Sequence, residues 1–156
     1  MAPDKVMTNE LVKLLRGGSA HAGLNDALKD LPANLRGQKI DRLPYTIWQL
    51  LEHIRIAQKD MLDFSSNENH VSPVWPDEYW PQEAAPADDD TWNHTISRIK
   101  KDLEEFIGLI RSGDIYKDFP HGDGQTLLRE ALQMADHNAY HIAEIIMMRR
   151  LFDAWK

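Results

Sequence analysis

Apolar positions recur at helical spacing in four stretches of the chain, and no alternating strand pattern of any length appears. The first stretch runs from about Thr8 to Leu31. Leu11 and Leu14, then Leu24, Leu28 and Leu31, recur there at three- and four-residue steps. Gly17-Gly18 falls between the two groups and favours a kink or break, and Pro32 ends the segment. The second stretch, Pro44 to Phe64, carries a stripe of Leu50, Ile54, Ala57, Met61 and Phe64. Pro44 suits its first turn, and Ser65-Ser66-Asn67 stops it. The third begins after "ADDD" with Asp90 as the expected N-cap. Trp92, Ile96, Ile99, Leu103, Phe106 and Ile110 then follow the seam spacing of a bundle helix, and Ser112-Gly113 closes it. The fourth opens near Gly124 to Thr126 and continues to about Phe152, with Arg149 and Arg150 placed to suit the helix dipole. Four long amphipathic helices most simply make a four-helix bundle. The expected class is therefore all-α, with residues 1–156 forming one domain.

The connection between the second and third helices is long: "SSNENHVSPVWPDEYWPQEAAPADDD". Loops of this length inside a compact domain are uncommon and often functional. Its prolines and tryptophans allow two readings: a segment pinned to the bundle by its aromatics, or a lid over a pocket. The stretch from Trp75 to Trp80 is the part at issue, as a lid or as a dimer contact.

Composition narrows the function more than the fold. The chain has 156 residues, 42 % hydrophobic and 28 % charged, which fits an ordinary globular domain with a sizeable core. A formal charge of −7 argues against nucleic acid as the main partner, because phosphate binding wants a basic face. There is no cysteine, so disulfides, thiolate metal sites and a cysteine nucleophile are excluded. The start "MAPDKVMTNE" lacks the apolar stretch of a signal peptide. No apolar run approaches the ~20 residues of a membrane span. A cytoplasmic protein with no membrane partner is expected.

Chemistry concentrates in "ADHNAYH". Residues four apart on a helix lie ~40° from each other and one turn up, so His137 and His141 share one face, the meridian of Met134, Ile145 and Met148. That face reads as core, and a buried imidazole without partners is costly. Two imidazoles at this spacing can reach one ion. His53, in "WQLLEHIRIAQ", is the best third ligand, at the edge of the Leu50-Ala57-Phe64 stripe. His94 lies off its helix seam, and His70 and His121 lie in loops. His21 shares the face of Leu14, Leu24 and Leu28, so it either lines the same cavity or supports a ligand. Each histidine also has a plainer reading, as a core group hydrogen-bonded to a neighbour. The chain contains neither H-E-x-x-H nor a Glu-x-x-His pair, so zincin and di-iron arrangements are unlike it.

Two segments, "LPYTIWQLLEHIRIAQKDML" and "LREALQMADHNAYHIAEIIMMRR", resemble the signature regions of the DinB/YfiT-like family of metal-binding four-helix bundles. In that family one histidine of the second helix and an H-x3-H pair of the last helix bind a divalent metal. Carried over, these are His53, His137 and His141. The resemblance implies an up-down-down-up bundle, a tendency to form homodimers, and relatives that are S-transferases using low-molecular-weight thiols. The chain departs from many relatives after the final histidine, where it has Ala143-Glu144.

Three neutral histidines leave a tetrahedral ion one open position, whereas a structural zinc site is closed by four protein ligands. An ion held so can lower the pKa of a bound water or thiol. With no cysteine in the chain, a thiol nucleophile would come from a cosubstrate. Zinc is the first expectation and nickel the second. Glu130, Gln49 and Asp60 lie near the ligand meridians and are candidates to orient an imidazole N–H; the alternative for Glu130 and Asp60 is a solvated charge near a bundle end. The reading is a metal-dependent thiol S-transferase or hydrolase acting on a small molecule. The alternative is a non-catalytic, dimeric metal-binding or stress-related module.

Overall fold

The computed structural model describes residues 4–18 and 20–155. The first segment, Thr8 to Leu31, is broken at Gly17-Gly18 as the sequence allows, into α1 (Lys5–Leu15) and α2 (Leu24–Leu28). Gly17 and Gly18 cause the break, with φ of 104° and 63°. That left-handed region costs little only for glycine, and it lets the Gly18 N–H close on the Lys13 carbonyl at 2.8 Å. The turn also corrects the expected core face. α1 buries Thr8, Leu11, Val12 and Leu15, while Leu14 is 44 % exposed.

The three long helices are α3 (Ile47–Ser66), α4 (Asp89–Ser112) and α5 (Leu127–Leu151). α3 does not start at Pro44. Thr46 is its N-cap: Thr46 Oγ1 accepts from the Gln49 N–H at 3.2 Å and Gln49 Oε1 accepts from the Thr46 N–H at 3.1 Å. This reciprocal box satisfies two end donors that a proline two residues earlier cannot reach. α4 is capped by Asp88, not Asp90, because the Asp88 carboxylate accepts from the Thr91 N–H at 2.7 Å. Asp90 lies inside the first turn, where its charge favours the helix dipole. Thr126 caps α5, in the expected region.

The architecture is all-helical, with no strand among the described residues, as a helical bundle of this kind requires. α3 packs against both α4 and α5, and α1 closes the other side against α4 and α5. No helix among the described residues is long and apolar enough to cross a membrane.

Two apolar clusters fill the interior. One gathers Leu11, Leu15, Leu62, Phe106, Ile110, Ala131 and Met134. The other gathers Ile47, Leu50, Leu51, Ile54, Trp92, Ile99, Ile142 and Ile145. Each buried Leu, Ile or Phe contributes roughly 1.5–3 kcal/mol. Between the clusters the buried side chains turn polar: His53 and Gln58 on α3, Asp102 on α4, and His141 on α5. The site lies at this interruption.

Arg149, expected only to serve the dipole, is a staple. It is 5 % exposed and donates to the carbonyls of Ala27 (2.8 Å), Lys29 (2.9 Å) and Ala154 (2.7 and 3.0 Å). It thereby ties α2 and the C-terminal turn to α5. Replacing it leaves several buried carbonyls unpaired. Arg149→Ala should lower the unfolding free energy by about 2–4 kcal/mol, read as a fall in the urea midpoint at pH 7.5.

Candidate metal centre

His53 faces α5 from the middle of α3, and His137 and His141 face it from successive turns of α5. Their available ligand nitrogens all lie within 4.8 Å of one another. The Nε2 atoms of His53 and His137 are 3.0 Å apart. His53 is 2 % exposed and His141 7 %, while His137 is half-buried. The i, i+4 geometry of α5 brings its two rings to 4.5 Å between centroids. The packing of α3 on α5 brings His53 to 4.9 and 4.7 Å from them.

The outward nitrogens determine what the inward ones can do. His53 Nδ1 is 2.9 Å from the Tyr79 carbonyl. A carbonyl only accepts, so the Nδ1–H donates and Nε2 keeps its lone pair. His141 Nδ1 lies 2.7 Å from Glu144 Oε2 and is paired in the same way. Both rings therefore turn Nε2 lone pairs inward, the arrangement found in metal-bound histidines backed by an oxygen acceptor.

The long connection supplies the Tyr79 carbonyl. Its middle is a 3-10 turn, Asp77–Tyr79, and its two ends of contact are hydrogen bonds from Thr46 Oγ1 to the Ala84 carbonyl (2.6 Å) and from Gln49 Nε2 to the Pro81 carbonyl (3.1 Å). Trp80 stacks on His53 at 3.8 Å and 5°, and on Tyr45 at 3.8 Å and 7°. Trp80 thus packs its part of the connection against the bundle. Trp75 and Tyr140 remain exposed beside the cluster, 6.4 Å from His53 and 5.0 Å from His141.

Burial favours the neutral forms of His53 and His137. It pushes His137 down to about 4, helped by the charges of His141 and His53 when protonated. It also lowers His53, against the opposing hydrogen bond to Tyr79, with a further contribution from His141. Neutral imidazole is the ligating form. Among the described residues this is the one group of three histidine or carboxylate side chains placed to hold a metal ion.

The other expected groups fall elsewhere. Gln49 serves the α3 cap and the Pro81 carbonyl rather than an imidazole. Asp60 is not a solvated charge: it accepts from the Tyr79 hydroxyl at 2.6 Å and pairs with His70 Nε2 at 2.7 Å. It therefore acts on the cluster only through Tyr79, whose carbonyl holds His53. Glu130 is buried, and that burial raises its carboxyl, with Arg129 opposing and Asp60 reinforcing the rise. His21 is exposed, binds the Ala22 carbonyl at 3.0 Å, and lines a separate groove of about 240 Å³ that includes Gly17, Lys100 and Ile142. Glu144 is the partner that sequence reasoning left unassigned, although its i, i+3 spacing from His141 is a legible signal.

A helical bundle with a cluster of three histidines whose nitrogens lie within reach of one point belongs to the class of bundle proteins whose core could hold a metal ion. The DinB superfamily model matches residues 19–145, and the chain belongs to that superfamily. No curated protein and no solved structure gives a significant match.

The depressed histidines make stability depend on pH. The unfolded chain takes up these protons near 6.5, while folded His53 and His137 resist until lower pH. Their stabilising effect is complete above about 6.5 and is lost as pH falls toward about 4. Urea unfolding of chelator-treated protein at pH 7.5, 5.5 and 4.5 should show this loss. The drop should be smaller in His137→Leu, and equal drops in the two proteins would contradict the assignment.

Proposed function

We propose that His53, His137 and His141 hold one divalent metal ion, zinc first and nickel second, and that the protein is a metal-dependent enzyme acting on a small molecule. The reaction type is thiol S-transfer or hydrolysis, with a low-molecular-weight thiol as cosubstrate in the first case. The observation that carries this reading is the pairing of His53 Nδ1 with the Tyr79 carbonyl and of His141 Nδ1 with Glu144. Together these leave neutral Nε2 atoms facing one point. Nitrogen donors of this kind suit zinc and nickel, and three of them leave a coordination position for a substrate atom. When bound, the ion would supply Lewis acidity to a water or thiol at that position.

The chain's own residues supply the rest. Trp80 lies between the His53 ring and Tyr45 and shields one face of the imidazole from water. Trp75 and Tyr140 frame the cluster with exposed aromatic surface. The residues 1–156 act as one domain in this proposal, in the cytoplasm. Tyr140, Met147 and Leu151 are exposed at helical spacing along α5 and support a homodimer. A non-catalytic metal module is the second reading, favoured by the depth of His53 and its cover of Trp80.

Elemental analysis of untagged protein should find about one divalent metal per chain in the wild type, lost in His137→Ala. Glu144→Leu should weaken metal binding about 10–100-fold, as loss of an imidazole's outer partner does elsewhere, read by competition with a chromophoric chelator. Metal-loaded protein screened with thiols and electrophiles should show turnover that disappears in His53→Ala. Turnover independent of all three histidines would overturn the enzymatic reading. A stoichiometric metal with no turnover, and a large thermal destabilisation on chelation, would favour the module.

A further inference from the structure

His53 and His141 have outward partners, but His137 Nδ1 is buried and has none. On the next residue Asn138 Oδ1 is also buried and has none. Asn138 is otherwise tied down: its Nδ2 donates to Gln58 Oε1 at 3.0 Å, and Gln58 Nε2 donates to the Ile99 carbonyl of α4 at 2.7 Å. Gln58 is 0 % exposed, so no water competes for its amide.

This chain of amides has a direction. The Ile99 carbonyl can only accept, so the Gln58 NH2 must point at it and its oxygen must point away. That oxygen can only accept in turn, so the Asn138 NH2 must face it and Oδ1 must lie at the opposite end. Both amide orientations therefore follow from one backbone carbonyl. Asn138 Oδ1 is left as a buried, unpartnered acceptor on the residue next to His137, the one ligand whose Nδ1 needs an acceptor when its Nε2 lone pair faces a metal.

We propose that Asn138, oriented by Gln58 and the Ile99 carbonyl, is the positioning residue of His137, holding its proton on Nδ1 so that Nε2 is free to ligate. This rests on the metal reading above. His137 Nδ1 and Asn138 Oδ1, on adjacent residues, are both buried and form no hydrogen bond as they stand. Pairing them on metal binding would let the three rings draw on a loop carbonyl, a carboxylate and an amide oxygen.

The test uses zinc-loaded full-length protein. Long-range 15N–1H spectra should show His137 with its proton on Nδ1. Asn138→Leu, close in size but without an acceptor, should weaken zinc binding about 10–100-fold and broaden or abolish the Nδ1–H signal. Asn138→Asp keeps the acceptor and should hold zinc affinity within a few fold of wild type, even though it opposes Gln58 Oε1 and lowers the melting temperature. That split separates positioning from packing. Gln58→Met frees the Asn138 amide to turn and should give an intermediate loss, which keeps the test available if Asn138→Leu does not fold. Zinc bound by the wild type with His137 protonated on Nε2, or with unchanged affinity in Asn138→Leu, overturns the relay alone. No zinc bound by the wild type overturns the metal reading and the relay with it.

Discussion

A buried imidazole has two ring nitrogens, and each must find a partner if the ring is to leave water without a large penalty. Three imidazoles brought to one point multiply that demand. Their inward nitrogens can share a single ion, but only if every outward nitrogen carries its proton and has somewhere to place it. Much of the structure around His53, His137 and His141 meets this requirement. The Tyr79 carbonyl takes the His53 proton and the Glu144 carboxylate takes that of His141.

The bundle makes room for this by dividing its core. Phe106, Ile110 and Met134 pack one end, while Ile47, Ile54, Ile99 and Ile145 pack the other. Between them α3, α4 and α5 spend buried positions on His53, Gln58, Asp102 and His141. The two apolar ends fix the helices against each other, and the polar layer inherits that rigidity. The connection from α3 to α4 adds the remaining constraint. Its Tyr79 backbone holds one ring edge, its Trp80 indole covers one ring face, and Asp60 holds the Tyr79 hydroxyl.

The long helices were legible because their apolar residues recur at helical spacing, and burial of Leu50, Ile54, Trp92, Ile99, Phe106 and Met134 matches it. The break at Gly17-Gly18 was legible from the two glycines, but the core face of the first segment was not, since Leu14 points outward. Helix starts shifted by a few residues because Thr46 and Asp88 make the capping bonds, which Pro44 and Asp90 resembled in position only. The clustering of the triad was legible, since i, i+4 spacing places His137 and His141 on one meridian and His53 sits at a stripe edge. The Tyr79 carbonyl was not, because every residue has a carbonyl and only the path of the chain decides which one meets a ring. Gln49 and Asp60 lay on the right faces but were claimed by the helix cap and by His70 and Tyr79. Glu144 carried a readable spacing, yet drew notice only as a departure from relatives.

The most direct test of the central claim is X-ray absorption at the metal edge on protein loaded with one equivalent of zinc. Three imidazole nitrogens at about 2.0–2.1 Å, with the outer-shell scattering of histidine rings, together with one non-protein oxygen or sulfur ligand, are the expected result. A shell of oxygens without imidazole scattering, or the same shell in wild type and His137→Ala, would contradict it.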